Sequence, residues 1–402
     1  MLKKSSKIIY DKVDHLLVLD VGTTGIKAFV FNKDFKIDVR TYRPVKTSRP
    51  KKDWVEQDPM EILAAAKQVL KEAVRSSHVK LNHFSAFGLT NQRETIVAWD
   101  RVSGKPIYPA IVWEDRRQGR ELRINTNIRI TNLIREKTGL KPDPYFSATK
   151  IQWILENVPK AQELLKAKRL LVGTVDTWLL WNLCEDEPFL TDETNAARTM
   201  LFNLKKKDWD QELLDLFVVP REILPDVFSS GANFGFLKKE IVGAKLLVLA
   251  VAGDQQASTY AAGTKAGATK VTYGTGAFLV QSFGNKFKLH PDFFTTLLPT
   301  IGGKPVFALE AKVENCAVSV EPVLNNPKKL HQVLTSIAKK VDTIIKRLPN
   351  KPKLIIADGG VMRDGIIVEL QQKISGVPVR SQIVFDGTAL GIAKLLVDVL
   401  KK

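Results

Sequence analysis

The sequence contains few cysteines, has an acidic deficit, and lacks long apolar runs. Two cysteines, Cys184 and Cys316, occur among 402 residues, which excludes a disulfide framework and favours a reducing compartment. No apolar stretch approaches the roughly 18 residues that a membrane span needs. The basic opening segment is not followed by the apolar core of a secretory signal. We therefore predict a cytoplasmic protein without a membrane span.

Basic side chains outnumber acidic ones, 61 to 43, which gives a formal net charge of +18. Such an excess suits an anionic partner, whether nucleic acid, a phosphorylated ligand or a membrane surface. The lysines and arginines are scattered in pairs and triplets, and they form neither an aromatic-interleaved patch nor a nucleic-acid motif. We interpret the excess as a solvated, lysine-rich surface and predict no nucleic-acid binding.

The length of 402 residues exceeds one ordinary core, so two domains are expected. Short strand-like runs open the chain over 15–43 and predict an antiparallel meander. The same pattern returns at 268–284, and predicted helices follow each time. We therefore predict two α/β domains, residues 1–262 and residues 263–402.

Several helices are predicted from apolar residues that recur at helical spacing. The first begins after Asp58, a good N-cap, with Pro59 at the first helical position and Glu61 at capping-box spacing. The other predicted helices are 114–138, 147–157, 160–167, 174–183, 327–348 and one from about 365. Further strands are predicted for FSAFGL, TIVAW, KLLVLAVAGD and KLIIADGG.

The motif LDVGTTGIK combines a carboxylate, Asp20, at a strand end with a tight turn. Glycines let backbone amides approach a phosphate closely, and the hydroxyls of Thr23 and Thr24 add donors. The carboxylate can hold a metal ion or a metal-bound water. The alternative is a plain β-hairpin turn.

Two more glycine-containing turns lie in the second half. TYGTGAF repeats the strand, Gly-Thr-Gly and strand arrangement, and two such turns suit a nucleotide held by two domains. LIIADGGVMRDG ends an apolar strand in Asp-Gly-Gly, where glycines let a ribose or a flat ring lie against the backbone. Two unrelated hairpins remain the alternative.

Two polar features follow apolar strands. In AVAGDQQAS, Asp254 ends a strongly apolar strand, which is a costly place for a carboxylate without partners or a task. A general base or metal ligand is one interpretation, and a helix N-cap is the other. In GLTNQRETIVAWD, five hydrogen-bonding side chains run from Asn91 to Thr95, whereas ordinary loops use Gly, Pro, Asn and Ser.

These motifs, with WVEQDPMEI, AIVWEDRR and TALGIA, occur in the same order in the FGGY carbohydrate kinases, which the chain resembles. Within that family, NQRE, WVEQDPMEI and VWEDRR resemble the glycerol kinases. The resemblance covers most of 15–284 and resumes over 354–396. It implies a two-domain, ribonuclease H-like α/β fold, duplicated as in actin, with the active site in the interdomain cleft.

The resemblance also implies a reaction, the ATP-dependent phosphorylation of glycerol to glycerol 3-phosphate with Mg²⁺. It makes Asp254 the catalytic base and associates Asp20 and Asp254 with the metal. The implied substrate-binding residues are Arg93, Glu94, Trp113, Tyr145, Asp254, Gln255 and Phe278. The implied nucleotide-binding residues are Thr23, Thr24, Lys27, Thr275, Gly276, Gly359, Gly360 and Asp364.

The second half departs from the family pattern. Ala317 stands where a Gly is usual, Glu321 where a Gln is usual, and Asp364 where an adenine-contacting Asn is usual. An ionised carboxylate cannot donate as the amide does. A segment rich in Pro, Tyr and Trp is missing, so the C-terminal domain is expected to be shortened.

Two alternatives therefore stay open: a kinase for another small polyol or ketose, and a weakened homologue that binds a polyol or a nucleotide as a sensor. A homo-oligomer is compatible with the sequence.

Overall fold

A computed structural model describes residues 14–119, 127–274, 276–313, 316–362, 365–382 and 386–402. These residues divide into two compact units. The first unit comprises Met1–Asp254, Pro299–Gly303 and Ile392–Lys402, and the second comprises Gln255–Leu298 and Lys304–Gly391. The predicted domain limits, 1–262 and 263–402, stay a prediction.

The first unit contains a six-stranded main sheet, smaller sheets and several helices. Its strands are β1 (His15–Val21), β2 (Gly25–Asn32), β3 (Ile37–Pro44), β4 (Glu56–Gln57), β5 (Phe84–Asn91), β6 (Ile96–Asp100), β7 (Ala110–Ile111), β8 (Leu170–Thr174), β9 (Leu190–Asp192), β10 (Phe202–Asn203), β11 (Asp208–Trp209), β12 (Asp226–Phe228), β13 (Phe236–Leu237) and β14 (Leu246–Gly253). Its helices are α1 (Pro59–Ser77), α2 (Ile128–Thr138), α3 (Ser147–Asn157), α4 (Pro159–Lys166), α5 (Val175–Leu183), α6 (Glu193–Ala196), α7 (Gln211–Phe217) and α8 (Lys239–Val242).

The main sheet of this unit has the order β13-β14-β5-β1-β2-β3. Strands β1, β2 and β3 pair antiparallel, as the opening of the sequence predicts, whereas β1, β5 and β14 are parallel. In the parallel register, Asn91 lies opposite both Val21 and Gly253. The segments that leave these three strands therefore begin at one edge of the sheet.

The second unit has its own sheet, ordered β17-β18-β16-β15-β19-β20. The remaining strands are β15 (Thr269–Tyr273), β16 (Ala277–Gly284), β17 (Phe294–Leu298), β18 (Val306–Val313), β19 (Ile355–Asp358) and β20 (Val379–Ser381). The remaining helices are α9 (Asp254–Ala262), α10 (Cys316–Val320), α11 (Pro327–Arg347), α12 (Ile366–Ser375) and α13 (Gly387–Leu400). In the part of the chain that the structure describes, no helix combines the length and apolar character needed to cross a membrane.

The same strand order occurs in both sheets once the edge strands β13 and β17 are set aside. It is β3-β2-β1-β5-β14 in one sheet and β18-β16-β15-β19-β20 in the other. In each, three antiparallel strands are followed by two strands parallel to the first. The prediction of a duplicated α/β fold of the ribonuclease H-like, actin-like class is therefore confirmed.

Helix α1 begins as the sequence predicts, but its cap differs in one detail. The Asp58 side chain accepts a hydrogen bond from the amide of Met60 at 2.8 Å, and Pro59 is the first helical residue. Glu61 does not complete the capping box: its Oε1 accepts instead from the amide of Lys46 at 3.1 Å. The buried face of α1 comprises Pro59, Ile62, Leu63, Ala65, Ala66, Val69, Leu70 and Ala73.

The prediction of one helix over 114–138 is wrong at its start. Among residues 114–119 and 127–138, only α2 is helical, and it begins after Asn127, whose side chain caps it. Before it, the Asp115 carboxylate accepts from the backbone and the side chain of Arg117 at 2.9 Å each. Such local bonds give the backbone an alternative to the helix. The predicted residues 120–126 lie outside the described residues.

Gly391 in α13 lies against the backbone of α9. A Cβ added at Gly391 would lie 1.8 Å from the carbonyl oxygen of Ala257. We predict that Gly391→Ala lowers the melting temperature, although Ala is favoured over Gly in helices by about 1 kcal/mol. The added methyl group would overpack the contact, which costs about 1–3 kcal/mol. Thermal unfolding followed by circular dichroism measures the melting temperature. Gly360→Ala is the control because a Cβ there meets no atom within 4 Å. A melting temperature unchanged by Gly391→Ala would contradict the contact.

Candidate active site

Charged side chains from the segments that follow β5 and β14, together with Arg198, form a cluster within the first unit. The Nε atom of Arg93 lies 3.2 Å from Oδ1 of Asp254 and 4.0 Å from Oε2 of Glu94. The Nε of Arg198 donates to Oε1 of Glu94 at 2.6 Å. Arg93, Glu94 and Arg198 are buried, whereas Asp254 is 31% exposed. The two guanidinium groups balance the two carboxylates, which makes the burial tolerable.

The loop that carries this cluster has an unusual backbone. Glu94 adopts a positive φ of 61°, which is uncommon outside glycine and occurs often at functional sites. The Ser147 hydroxyl donates to the Glu94 carbonyl at 3.2 Å, and the Gln92 amide donates to the Val21 carbonyl at 2.7 Å. These bonds hold the loop against β1 and α3.

A hydrogen-bond network joins this loop to the turn after β1. The Thr23 hydroxyl donates to Oε1 of Gln92 at 2.9 Å and accepts from Nε1 of Trp113 at 2.8 Å. Gln57 donates to the Thr23 carbonyl at 2.6 Å and accepts from Gln92 at 2.8 Å. The hydroxyl hydrogen of Thr23 is thus used within the protein. Thr24 is the exposed threonine of this turn.

Asp20 lies at the end of β1, opposite Lys27 on β2. Its Oδ2 is 3.6 Å from Nζ of Lys27, and Asp20 is buried. Across the described ranges, no group of three or more His, Cys, Asp or Glu side chains has a metal-binding arrangement. Mg²⁺ typically takes only one or two protein carboxylates together with waters and substrate phosphates, so a single carboxylate such as Asp20 is compatible with a Mg²⁺ site.

An aromatic wall stands beside the charged cluster. The rings of Trp113 and Tyr145 are 5.7 Å apart and inclined by 72°. The guanidinium carbons of Arg116 and Arg198 lie 5.6 and 5.7 Å from the centre of the Tyr145 ring. The structure therefore brings together the predicted residues Arg93, Glu94, Trp113, Tyr145 and Asp254.

Lys150 holds the backbone of residues 144–146, which carry the Tyr145 ring, and no sequence motif predicts this role. Its ammonium group donates to the carbonyls of Pro144, Tyr145 and Phe146 at 2.8, 2.6 and 3.2 Å. The side chain is fully buried, and burial lowers the pKa of Lys150 to about 7. A lysine among the apolar positions of α3 is the signal that marks it.

No sequence motif predicts the role of the segment TDETNAART either. The amides of Asn195 and Asn91 exchange two hydrogen bonds, at 3.0 and 3.1 Å, directly before the Gln92–Glu94 loop. Arg198, from the same segment, holds Glu94. The five consecutive polar residues between Leu190 and Ala196 are all buried, which the sequence alone does not reveal.

The predicted nucleotide-binding glycines lie in the second unit. Gly359 has a φ of 109°, and a Cβ there would lie 2.3 Å from the Tyr273 carbonyl oxygen, so only glycine fits. The Gly274 amide donates to the Gly276 carbonyl at 3.0 Å, closing the turn between β15 and β16. Gly360 follows Gly359 and is exposed.

Gln255, another predicted residue of this unit, is linked to a buried ion pair. Asp358 Oδ1 is 2.9 Å from Nζ of Lys270, which also contacts the Thr272 hydroxyl. That hydroxyl donates to Oε1 of Gln255 at 3.2 Å. Phe278 lies next to Lys312, whose Nζ is 5.9 Å from the ring centre. The predicted residues Thr275 and Asp364 lie outside the described residues.

Comparison with known proteins identifies the family. Residues 15–261 match the model of the FGGY family of carbohydrate kinases, N-terminal domain. The chain belongs to the FGGY family of carbohydrate kinases. This FGGY kinase is 35% identical over 448 aligned residues to a glycerol kinase of Mycoplasmoides gallisepticum, covering 95% of this chain and 88% of that protein. Glycerol kinase 2 of Thermotoga maritima is 34% identical over 441 residues, with 95% and 89% covered.

A solved structure agrees with this assignment. The glycerol kinase of Plasmodium falciparum, crystallised with ADP, superposes with a TM-score of 0.85 at 25% identity, covering 95% of this chain and 89% of that one. The resemblance inferred from the motifs is therefore confirmed at the family level, and the protein is a carbohydrate kinase. The two sequence alignments exceed the 402 residues of this FGGY kinase, so its relatives contain positions that it lacks.

The lowered pKa of Lys150 predicts a pH-dependent stability. Between pH 7 and 10.5 the unfolded chain keeps the Lys150 proton that the folded chain has released, so the free energy of unfolding rises with pH. Lys150→Met removes this contribution. We expect the unfolding free energy of the parent minus that of the variant to increase with pH, by at most about 1.4 kcal/mol per pH unit.

Urea unfolding followed by tryptophan fluorescence at pH 7, 8 and 9 measures this difference, because all seven tryptophans lie in the first unit. Lys71→Met, at an exposed lysine of α1, is the control. A parent-minus-variant difference that stays constant or falls between pH 7 and 9 would count against a neutral Lys150.

Proposed function

We propose that this FGGY kinase transfers the γ-phosphoryl group of ATP to a terminal hydroxyl of glycerol and forms glycerol 3-phosphate. The observation that carries the proposal is the Arg93, Glu94 and Asp254 cluster beside the Trp113 and Tyr145 wall. The relatives named glycerol kinase, which align with 95% of the chain, support the same substrate.

The chemistry of the cluster suits a small polyol. Glycerol has three hydroxyls and little apolar area, so its recognition must come from paired hydrogen bonds. The guanidinium of Arg93 supplies donors, and the carboxylate of Glu94 supplies acceptors. The rings of Trp113 and Tyr145 cover the carbon chain, and Phe278 and Gln255 are proposed as further substrate contacts.

Asp254 is proposed as the general base. It is the partly exposed carboxylate of the cluster, whereas Glu94 is buried against Arg198. As the glycerol oxygen bonds to the γ-phosphorus, its proton passes to Asp254 and the bond to the ADP oxygen breaks. Phosphoryl transfer relies mainly on positioning and charge stabilisation, and Arg93 holds the base at 3.2 Å.

Nucleotide contacts are proposed for each unit by itself. In the first unit, Thr24, Lys27 and the backbone around Thr23 are proposed to bind phosphate. In the second unit, Gly276, Gly359 and Gly360 are proposed to bind the nucleotide, whereas Thr275 and Asp364 stay predictions. The assignment of polyol and phosphate binding to residues 1–262 and of nucleotide binding to residues 263–402 is likewise a proposal. Asp20 and Asp254 would hold Mg²⁺, which neutralises phosphate charge when bound.

A panel of acceptors tests the proposed substrate. We expect purified protein with ATP and Mg²⁺ to release ADP and form glycerol phosphate with glycerol, and to act poorly on ketoses such as xylulose. Coupled ADP release, with the product identified by mass spectrometry, measures both. Faster turnover of a ketose than of glycerol would show that the substrate belongs to the alternative class, another small polyol or a ketose. Nucleotide or polyol binding without turnover of any acceptor would replace the enzyme by a sensor.

Two substitutions separate the base from the binding residues. Asp254→Asn keeps the shape and an acceptor for Arg93 but cannot take a proton, so kcat should fall by about 10²–10⁴-fold with a smaller change in KM for glycerol. Arg93→Lys keeps the positive charge beside Asp254 but loses the planar donor pair. We expect KM for glycerol to rise by about 10- to 100-fold, with a smaller change in kcat.

Steady-state kinetics on both variants measures this split, and melting temperatures check that each variant is folded. Parent-like turnover in a folded Asp254→Asn variant would leave Asp254 as a helix cap and the mechanism without this base.

A further inference from the structure

A buried polar cluster lies behind the candidate site and has no place in the mechanism above. It consists of Asp192, Thr194, Asn195 and Ser230, which we call the Asp192 cluster. None of the four side chains is exposed. Asp192 ends β9 and caps α6, so the cluster sits where a strand becomes a helix. A group of four buried polar residues is costly unless every hydrogen bond is made.

Asp192 is surrounded by donors. Its Oδ1 accepts from the backbone and side-chain nitrogens of Asn195 at 3.0 and 2.8 Å. Its Oδ2 accepts from the Thr194 amide at 2.9 Å, the Thr194 hydroxyl at 2.7 Å and the Ser230 hydroxyl at 2.6 Å. Burial and the nearby Asp176 raise the pKa of Asp192 to about 7, and these donated bonds oppose the rise.

Two members of the cluster reach the candidate site. Asn195 exchanges two amide hydrogen bonds with Asn91, the last residue before the Gln92–Glu94 loop. The Thr194 hydroxyl accepts from the Gly253 amide at 2.9 Å, directly before Asp254. A hydroxyl has one hydrogen, and Thr194 gives it to Asp192, so its lone pairs are left to face Gly253. The orientation of Thr194 is therefore fixed from both sides.

We propose that Thr194, oriented by Asp192, is a positioning residue that sets where Asp254 enters the site. Asn195, which is bonded to the same Asp192 carboxylate, positions the Gln92–Glu94 loop. One buried carboxylate therefore aligns both the proposed base and the proposed polyol-binding residues. The inference rests on the proposed function, because Asp254 is assigned there as the base. The inference assigns a role to residues for which no contact with glycerol or ATP is proposed.

Ser230 provides a matched control for Thr194. Both hydroxyls donate to the same oxygen of Asp192, so removing either one costs that carboxylate one donor. Only Thr194 also accepts from Gly253. A purely structural role predicts the same consequences for Thr194→Val and Ser230→Ala. A positioning role predicts that they differ in catalysis.

The experiment compares Thr194→Val, Thr194→Ser and Ser230→Ala with the parent, measuring kcat, KM for glycerol and melting temperature. We expect Thr194→Val to lower kcat about tenfold or more, with KM within about twofold. Thr194→Ser, which keeps the hydroxyl, should restore kcat. Ser230→Ala should lower the melting temperature as much as Thr194→Val does while kcat stays within about twofold of the parent.

Equal kcat values for Thr194→Val and Ser230→Ala would overturn the inference. Hydrogen–deuterium exchange provides a readout that does not depend on activity. Thr194→Val should speed exchange at Gly253 and the first turn of α9 relative to Ser230→Ala. A parent without kinase activity defeats the proposed function. Under that result, faster exchange in Thr194→Val still supports the positioning contact, and equal exchange refutes it.

Discussion

The candidate site depends on the parallel register of β1, β5 and β14. Asn91 pairs with both Val21 and Gly253, so three chain segments leave the sheet side by side. One becomes the glycine-containing turn, one the Gln92–Glu94 loop, and one begins α9 at Asp254. Parallel strands with helical connections place their carboxyl ends at one edge, where ligands of open α/β sheets bind. The 3.2 Å contact between Arg93 and Asp254 follows from this register, although 160 residues separate them.

Buried polar groups are tolerated at this site because they have defined hydrogen-bond partners. Glu94 is held by Arg198, and Lys150 gives its donors to three consecutive carbonyls. Removing one member of such a set leaves an uncompensated buried group, which costs more than the contact itself contributes. The same property fixes the side chains that are proposed to bind the polyol. Rigid support of this kind would allow the proposed polyol site to be selective without a large binding area.

The sequence predicts those parts of the site that are local. The turn after Asp20, the polar run from Asn91 and the carboxylate at Asp254 each follow an apolar strand, and strand periodicity is visible without the structure. The supporting residues could not be found this way. Asn91 meets Asn195 across 104 positions, and nothing local distinguishes TDETN from an exposed loop. The error at 114–119 has the opposite cause: side-chain bonds of Asp115 override a helical pattern.

The duplicated sheets place different residues after equivalent strands. β5 and β19 occupy the same place in the strand order, each parallel to the first strand of its sheet. After β5 come Gln92, Arg93 and Glu94, which offer directed donors and acceptors. After β19 come Gly359 and Gly360, which offer bare backbone, and the position of Gly359 excludes any Cβ. Directed groups suit a small, hydroxylated acceptor, whereas bare backbone suits a flat ring or a ribose. The different roles proposed for the two halves therefore depend on the residues that follow the equivalent strands β5 and β19.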